Sequence, residues 1–372
     1  MFGFLSGIAI GVWHSFCFGG FIMVALKIYE WWNDRYYDKK RSTAKKNTPK
    51  ITIEITLKTN IKNLKRDYIY ENFKNFLTQM SAIHDIHNPF DTHTVNRATP
   101  QFTFDIVATN ETIKMYMTTY YFHTNFVKNL LHQSFEDISL HQVKDPYSEM
   151  DLDHWEKKRG SFLVTKSKDI YPLKTYKCSS SDDFGNLIAF MKTIPADSIM
   201  AIQYDFQSFS TAGKKTQWKR QFEDKKQEYF GSELDFYTKE EEKDLDNIQR
   251  KISSPHLKTK IKWMILTNNR HLDTDIVAQS ISAYTQSYAT INQKIGNSLL
   301  VDSNRSYKSK KWGFLNGWVT KKMNRVYFEK ENEYMMDYIF NGIKKRIRTL
   351  DKDETVILTP EEIASLFNIR NI

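Results

Sequence analysis

The stretch ITIEITLK, residues 51–58, alternates apolar and polar side chains without a break. Ile51, Ile53, Ile55 and Leu57 face one way; Thr52, Glu54, Thr56 and Lys58 face the other. A period of two is the mark of a strand with one covered face. The period then changes, because Ile69, Phe73, Phe76, Leu77, Met80 and Ile83 recur at helical spacing. QFTFDIVAT and IKMYMTTYY alternate again and are joined across Asn110-Glu111, a hairpin signal. A second helical stripe (Phe126, Val127, Leu130, Leu131, Phe135) leads into the strand ISLHQV. The order βαββαβ over residues 47–146 predicts a ferredoxin-like α+β domain with its helices on one sheet face.

The order recurs in longer form over residues 147–372, after a polar linker, KDPYSEMDLDHWEKKRG. LKTYK reads as a strand and DDFGNLIAFMKTI as a helix opened by Asp182. SIMAIQYDF and KTKIKWMILTN read as strands, DTDIVAQSISAYTQSYATI as a helix and SLLVD as a last strand. Residues 214–254 interrupt this order with a run rich in opposite charges four residues apart, which predicts a solvated, projecting helical hairpin. The expectation is a second ferredoxin-like domain carrying that insertion.

Residues 1–46 belong to another class of structure. No charge occurs before Lys27, and residues 4–26 as a helix would span about 34 Å, enough for a bilayer core of roughly 30 Å. The basic residues Arg35, Lys39, Lys40, Arg41, Lys45 and Lys46 follow the span, with Tyr29, Trp31 and Trp32 at its boundary. The expectation is a single-pass anchor in the cell membrane with the bulk of the chain cytoplasmic. Gly3, Gly7, Gly11, Ser15 and Gly19 form a small-residue ridge suited to helix–helix packing, which predicts a homo- or hetero-oligomer through the transmembrane helix.

The net charge of +10 is concentrated. Residues 27–50 carry eight Lys/Arg against three acids, and residues 303–350 carry twelve against four. In the second stretch basic and aromatic side chains interleave: Lys308, Lys310, Lys311, Trp312, Trp318, Lys321, Lys322 and Arg325. That pattern suits nucleic-acid contact; the plainer reading is a basic face around an ordinary core helix. Two cysteines, Cys17 and Cys178, exclude a disulfide framework.

Catalytic patterns are missing from the sequence. TAGKKTQW, residues 211–218, lies between a strand and a helix, as a phosphate loop should. However, Ser208 stands where that loop needs its first glycine, and Lys215 where it needs Ser or Thr. His84, His87 and His93 with Asp85 and Asp91 match no zinc spacing and read as a polar loop. The expectation is no enzyme activity, no cofactor and no metal.

The ending TVILTPEEIASLFNIRNI reads as a short strand and a well-made helix start: Thr359 as N-cap, Pro360 at the first helical position, Glu362 closing a capping box. With the basic-flanked anchor, ITIEITL, FTFDIVATNETIKMYM, FVKNLLHQSFEDISLHQVKDPY, YPLKTYK, the DDFGNLIAFMKTIPADSIMAIQYDF block and KIKWMILT, it completes a pattern across nearly the whole chain. The sequence resembles the membrane-anchored N-terminal region of type IV secretion and conjugative-transfer ATPases of the HerA-like group. In such relatives a RecA-like ATPase follows the segment that VILTPEEIASLFNI resembles; here that motor is expected on a separate polypeptide, lost or removed.

The resemblance implies a non-catalytic, membrane-anchored scaffold that docks a cytoplasmic RecA-like ATPase in a DNA or protein translocation machine. The alternative is a membrane-tethered nucleic-acid-binding module. On the first reading Thr359, Glu362, Ile363, Leu366 and Phe367 form the partner junction. That apolar face is expected to serve a partner as much as its own domain, so deleting residues 359–372, one short element, should cost little stability.

Overall fold

A computed structural model describes residues 28–29, 49–57, 66–82, 101–110, 112–135, 138–175, 182–209, 214–230, 238–298, 301–302, 336–337, 339–341, 343 and 355–367. The chain divides into two compact units, residues 1–48 with 86–98 and residues 49–85 with 99–372. Of the first unit only Ile28 and Tyr29 are described, helical and exposed. The expected membrane span, its ridge Gly3, Gly7, Gly11, Ser15 and Gly19, and the basic flank therefore lie outside the described residues. So do the basic–aromatic residues Lys308, Lys310, Lys311, Trp312, Trp318, Lys321, Lys322 and Arg325. Among the described residues no helix is long and apolar enough to cross a membrane.

In the second unit the alternating stretch forms β1 (Lys50–Leu57) and the helical stripe forms α1 (Arg66–Ala82). The hairpin is β2 (Gln101–Thr109) and β3 (Thr112–Tyr120). Thr109 pairs with Thr112, so the link has two residues, and Asn110 takes φ 47°, a left-handed conformation its short polar side chain tolerates. Next come α2 (Thr124–Ser134), β4 (Ile138–Val143) and β5 (Lys157–Thr165). α3 (Asp183–Met191) opens as expected, with Asp182 accepting from the Gly185 N–H at 3.1 Å. β6 (Ser198–Phe209), α4 (Lys215–Phe230), α5 (Lys239–Ser253), β7 (His256–Thr267) and α6 (Thr274–Gln286) follow. The chain continues through β8 (Ile295–Asn297), β9 (Val301–Asp302), β10 (Val356–Leu358) and α7 (Pro360–Leu366).

The fold is mixed α and β around one ten-stranded, antiparallel sheet. Its order is β4-β1-β3-β2-β6-β7-β5-β8, with β9 beside β5 and β10 beside β7. The 146/147 boundary falls between β4 and β5, yet the sheet crosses from one half to the other without interruption through the β2–β6 pair. Along β7, β5 pairs with residues 261–267 and β10 with Leu257–Thr259, so β10 occupies the stretch of β7 that β5 leaves open.

Two expectations are corrected. The first strand of the second half is β5, not LKTYK, whose described residues Leu173, Lys174 and Thr175 have no regular structure. The charges of KKRG made that stretch look like linker, but the Arg159 side chain is buried and its guanidinium pairs with Asp275 of α6. The insertion is also not a projecting hairpin. Trp218 of α4 and Ile248 of α5 are buried with Ile170 and Ile357, so the charged faces look outward from a docked pair of helices. Of the expected SLLVD strand, Val301 and Asp302 form β9, and β8 lies just before it.

One sheet face carries the main core. Phe102, Phe104 and Ile106 of β2, Ile202, Tyr204 and Phe206 of β6, and Ile261, Trp263 and Ile265 of β7 pack there with Phe73 and Leu77 of α1, Leu187 of α3 and Ile281 of α6. The other face is mixed. Val107, Ala201, Met264 and Phe162 pack with Tyr147, Ile339 and Ile343. Gly160 belongs here because any Cβ at that position would lie 2.7 Å from the Trp263 carbonyl oxygen. Beside this apolar part the registers Thr103↔Asp205↔Lys260 and Asp105↔Gln203↔Lys262 line up two polar rows. The Lys262 Nζ and Asp205 Oδ2 atoms are 2.6 Å apart, both side chains are fully buried, and Thr103 donates to Asp205 Oδ1 at 2.7 Å. Burial pulls the Lys262 ammonium below its ordinary pKa, and the Asp205 carboxylate opposes that pull.

Candidate partner-junction site

The predicted junction residues converge at the start of α7. Thr359 has the extended backbone of an N-cap (φ −79°, ψ 157°), and its Oγ1 accepts from the Glu362 N–H at 3.2 Å. Glu362 Oε2 accepts from the Thr359 N–H at 2.8 Å, closing the capping box that the spacing predicts. The other carboxylate oxygen reaches out of the helix. Glu362 Oε1 accepts from the Leu173 N–H at 2.7 Å and from Lys251 Nζ at 2.9 Å. Lys251 also donates to the Tyr171 carbonyl at 3.1 Å. One buried carboxylate thus holds α7, α5 and the segment around Leu173 together, with its charge balanced and its oxygens satisfied.

The far end of α7 is held as firmly. The Leu366 carbonyl accepts from the Tyr204 hydroxyl at 3.3 Å and from the Tyr284 hydroxyl. Burial raises the pKa of both phenols, so they stay protonated donors. Phe367 fills the centre of an aromatic cluster, with ring centroids 5.1 Å from Phe73, 5.2 Å from Tyr204, 5.4 Å from Phe104 and 5.8 Å from Phe184. Those four rings come from α1, β6, β2 and α3, so this one side chain touches both halves of the sheet. Ile363 and Leu366 are buried beside it. The expectation of an apolar face open to a partner is therefore corrected: Ile363, Leu366 and Phe367 are spent inside the chain's own core.

His256 lies behind this junction. Its ring is buried 4.9 Å from the Trp218 ring, and burial, reinforced by the Lys251 charge, lowers its pKa to about 4. Lys214, the lysine of the loop tested for phosphate binding, is committed to Asp169 at 2.8 Å. No group of three or more His, Cys, Asp or Glu side chains suited to a metal occurs among the described residues.

A groove of about 440 Å³ opens against the junction. Its walls are α5 (Glu240, Lys243, Asn247, Arg250), the segment Pro172–Thr175 and the turn Ala289–Ile291; Thr359, Glu361, Glu362 and Lys251 complete it. Two of the predicted junction residues, Thr359 and Glu362, thus line an open surface while the other three do not. The sequence reading missed Lys251, Leu173, Tyr204 and Tyr284. A signal for Lys251 was present: it falls three residues after Ile248 and six after Leu245, in register with the buried stripe of α5.

The chain matches no protein-family model and no curated protein.

Proposed function

We propose that this chain is a non-catalytic, membrane-anchored scaffold subunit of a translocation machine of the type IV secretion or conjugation kind, docking a cytoplasmic RecA-like ATPase. The observation that carries the reading is how the junction segment is built. A seven-residue helix has no stability of its own in water. Here that helix is bound at one end by the Glu362 network and at the other by Phe367, inside the core of the sheet. A load applied to this segment would pass directly into the body, as a subunit that couples a motor to a membrane assembly requires.

The strand order supports the same reading. Strands β1 to β4 run β4-β1-β3-β2, and β5 to β8 run β8-β5-β7-β6, the same order of first to fourth strand. We read them as two split βαβ, ferredoxin-like units joined edge to edge, as the resemblance implies. The anchor in residues 4–26, its oligomer-forming glycine ridge and the cytoplasmic placement of the rest belong to the proposal on the sequence alone.

The test is co-elution. Full-length chain in detergent is mixed at micromolar concentration with an anchorless RecA-like ATPase encoded beside it and run by size exclusion with light scattering. A stable complex is expected; two separate peaks would remove the basis for the reading.

A further inference from the structure

We propose that the end of the sheet carrying Lys50, Tyr121, Phe126 and Lys128 rests against the surface of a lipid bilayer. That a bilayer is present rests on the anchor in residues 4–26; the placement of these four side chains does not.

The chain passes between its two compact units three times, after residues 48, 85 and 98. In the second unit all three passages fall at one end of the sheet. The first leads into β1, whose first residue, Lys50, pairs with Tyr120, the last of β3. The third leads into β2, whose Phe102 pairs with Thr119 of β3. The second follows α1, and the Ser81 carbonyl in its last turn accepts from the Ser208 hydroxyl at 2.8 Å. Ser208 lies near the end of β6, where Gln207 pairs with Gln101, the first residue of β2. The segment read as an anchor is therefore joined covalently to the body through this end alone.

The same end carries aromatic surface. The Tyr121 N–H donates to the Pro49 carbonyl at 3.0 Å, so the turn after β3 sits beside the entry into β1. Tyr121 is 65% exposed, and Phe126, in the first turn of α2, is 44% exposed. Amphipathic rings are the side chains that settle at a membrane–water interface. Residues 112–135 hold no acid, and Lys128 stands two residues beyond Phe126. The Lys50 ammonium lies 5.9 Å from the centroid of the Tyr120 ring. Lys144 and Asp145 follow β4 at this end but are engaged locally, Lys144 with Glu149 and Asp145 with the Tyr147 N–H at 2.9 Å. Cations beside exposed rings favour anionic headgroups. The opposite end is well removed. β3 has nine residues, Thr112–Tyr120, so Thr112 lies about 30 Å from Tyr121 at roughly 3.4 Å per residue.

The experiment uses the full chain with Cys17→Ser and Cys178→Ser, labelled with nitrobenzoxadiazole at Asn125→Cys or at Thr112→Cys, both exposed positions. Each is reconstituted into vesicles of phosphatidylcholine and phosphatidylglycerol in equal parts, with a nitroxide on the headgroups as a short-range quencher. Quenching is expected at Asn125→Cys and none at Thr112→Cys. Adding Tyr121→Glu/Phe126→Glu to the Asn125→Cys chain should abolish the quenching, because the anionic surface repels the new carboxylates. Should that variant misfold, the contrast between the two labels decides alone. A floating chain quenched equally at both positions or at neither, or quenched in spite of the double substitution, would overturn the proposal and leave the anchor reading standing. A labelled parent chain that does not float with the vesicles would overturn the anchor reading and the proposal with it.

Discussion

Lys251 and Glu362 stand 111 residues apart in the chain and 2.9 Å apart in space, each with only 2% of its side chain exposed. The pair fastens the end of the inserted helix α5 to the start of the terminal helix α7. Breaking a buried pair from one side leaves a charge stranded, so Lys251→Met should cost about 3–5 kcal/mol in urea unfolding. Lys251→Met with Glu362→Leu should recover much of that, less about 1 kcal/mol for the lost cap. A single-substitution cost below about 1 kcal/mol would mean the pair is hydrated in solution.

Phe367 gives the second prediction. Its ring lies among Phe73, Phe104, Phe184 and Tyr204 with no exposed surface, so Phe367→Ala should cost roughly 3–5 kcal/mol. Deleting residues 359–372 should lower the melting temperature sharply, the reverse of the expectation from sequence. A melting curve unchanged by the deletion would contradict the burial of α7.

Much of this arrangement is legible in the sequence, and what is not has identifiable causes. Strands such as ITIEITL and SIMAIQYDF show a period of two because one covered face is apolar, and Thr359 with Glu362 announces its helix start by local chemistry. β5 is hidden because Arg159 is charged yet buried, its guanidinium pairing with Asp275, 116 residues away. The same holds for the destination of α7. An amphipathic stripe such as Ile363, Leu366 and Phe367 says that a helix must be covered, not by what. The joining of the two halves through β2 and β6 is a long-range edge pairing for which no local pattern exists.

His256 contributes to the acid limb of stability. Its folded pKa of about 4 lies below the usual imidazole value of 6.5, so the unfolded chain takes up this proton first as pH falls. Stability from this group is complete above pH 6.5 and is lost as pH falls from there towards 4, by on the order of 3 kcal/mol. Chemical unfolding at pH 7 and pH 4.5 should show His256→Gln losing distinctly less than the parent chain. Equal losses would mean the ring is hydrated.

Lys214 is held at 2.8 Å by Asp169 and stacks 5.7 Å from the Phe209 ring, occupied with its own neighbours. The full chain should show no ATP hydrolysis above background, and Lys214→Ala should change neither that rate nor stability by more than about 1 kcal/mol, since the pair is partly exposed. Hydrolysis that disappears in Lys214→Ala would restore a phosphate-loop reading.

The scaffold account meets its most direct test in membrane flotation. The anchorless ATPase is expressed with and without the full chain, and lysates are floated through a density gradient. The account predicts that the chain floats with membranes and that the ATPase floats with it, remaining at the bottom of the gradient when the chain is absent. An ATPase that stays at the bottom beneath a floating chain, or a chain that does not float, would contradict it.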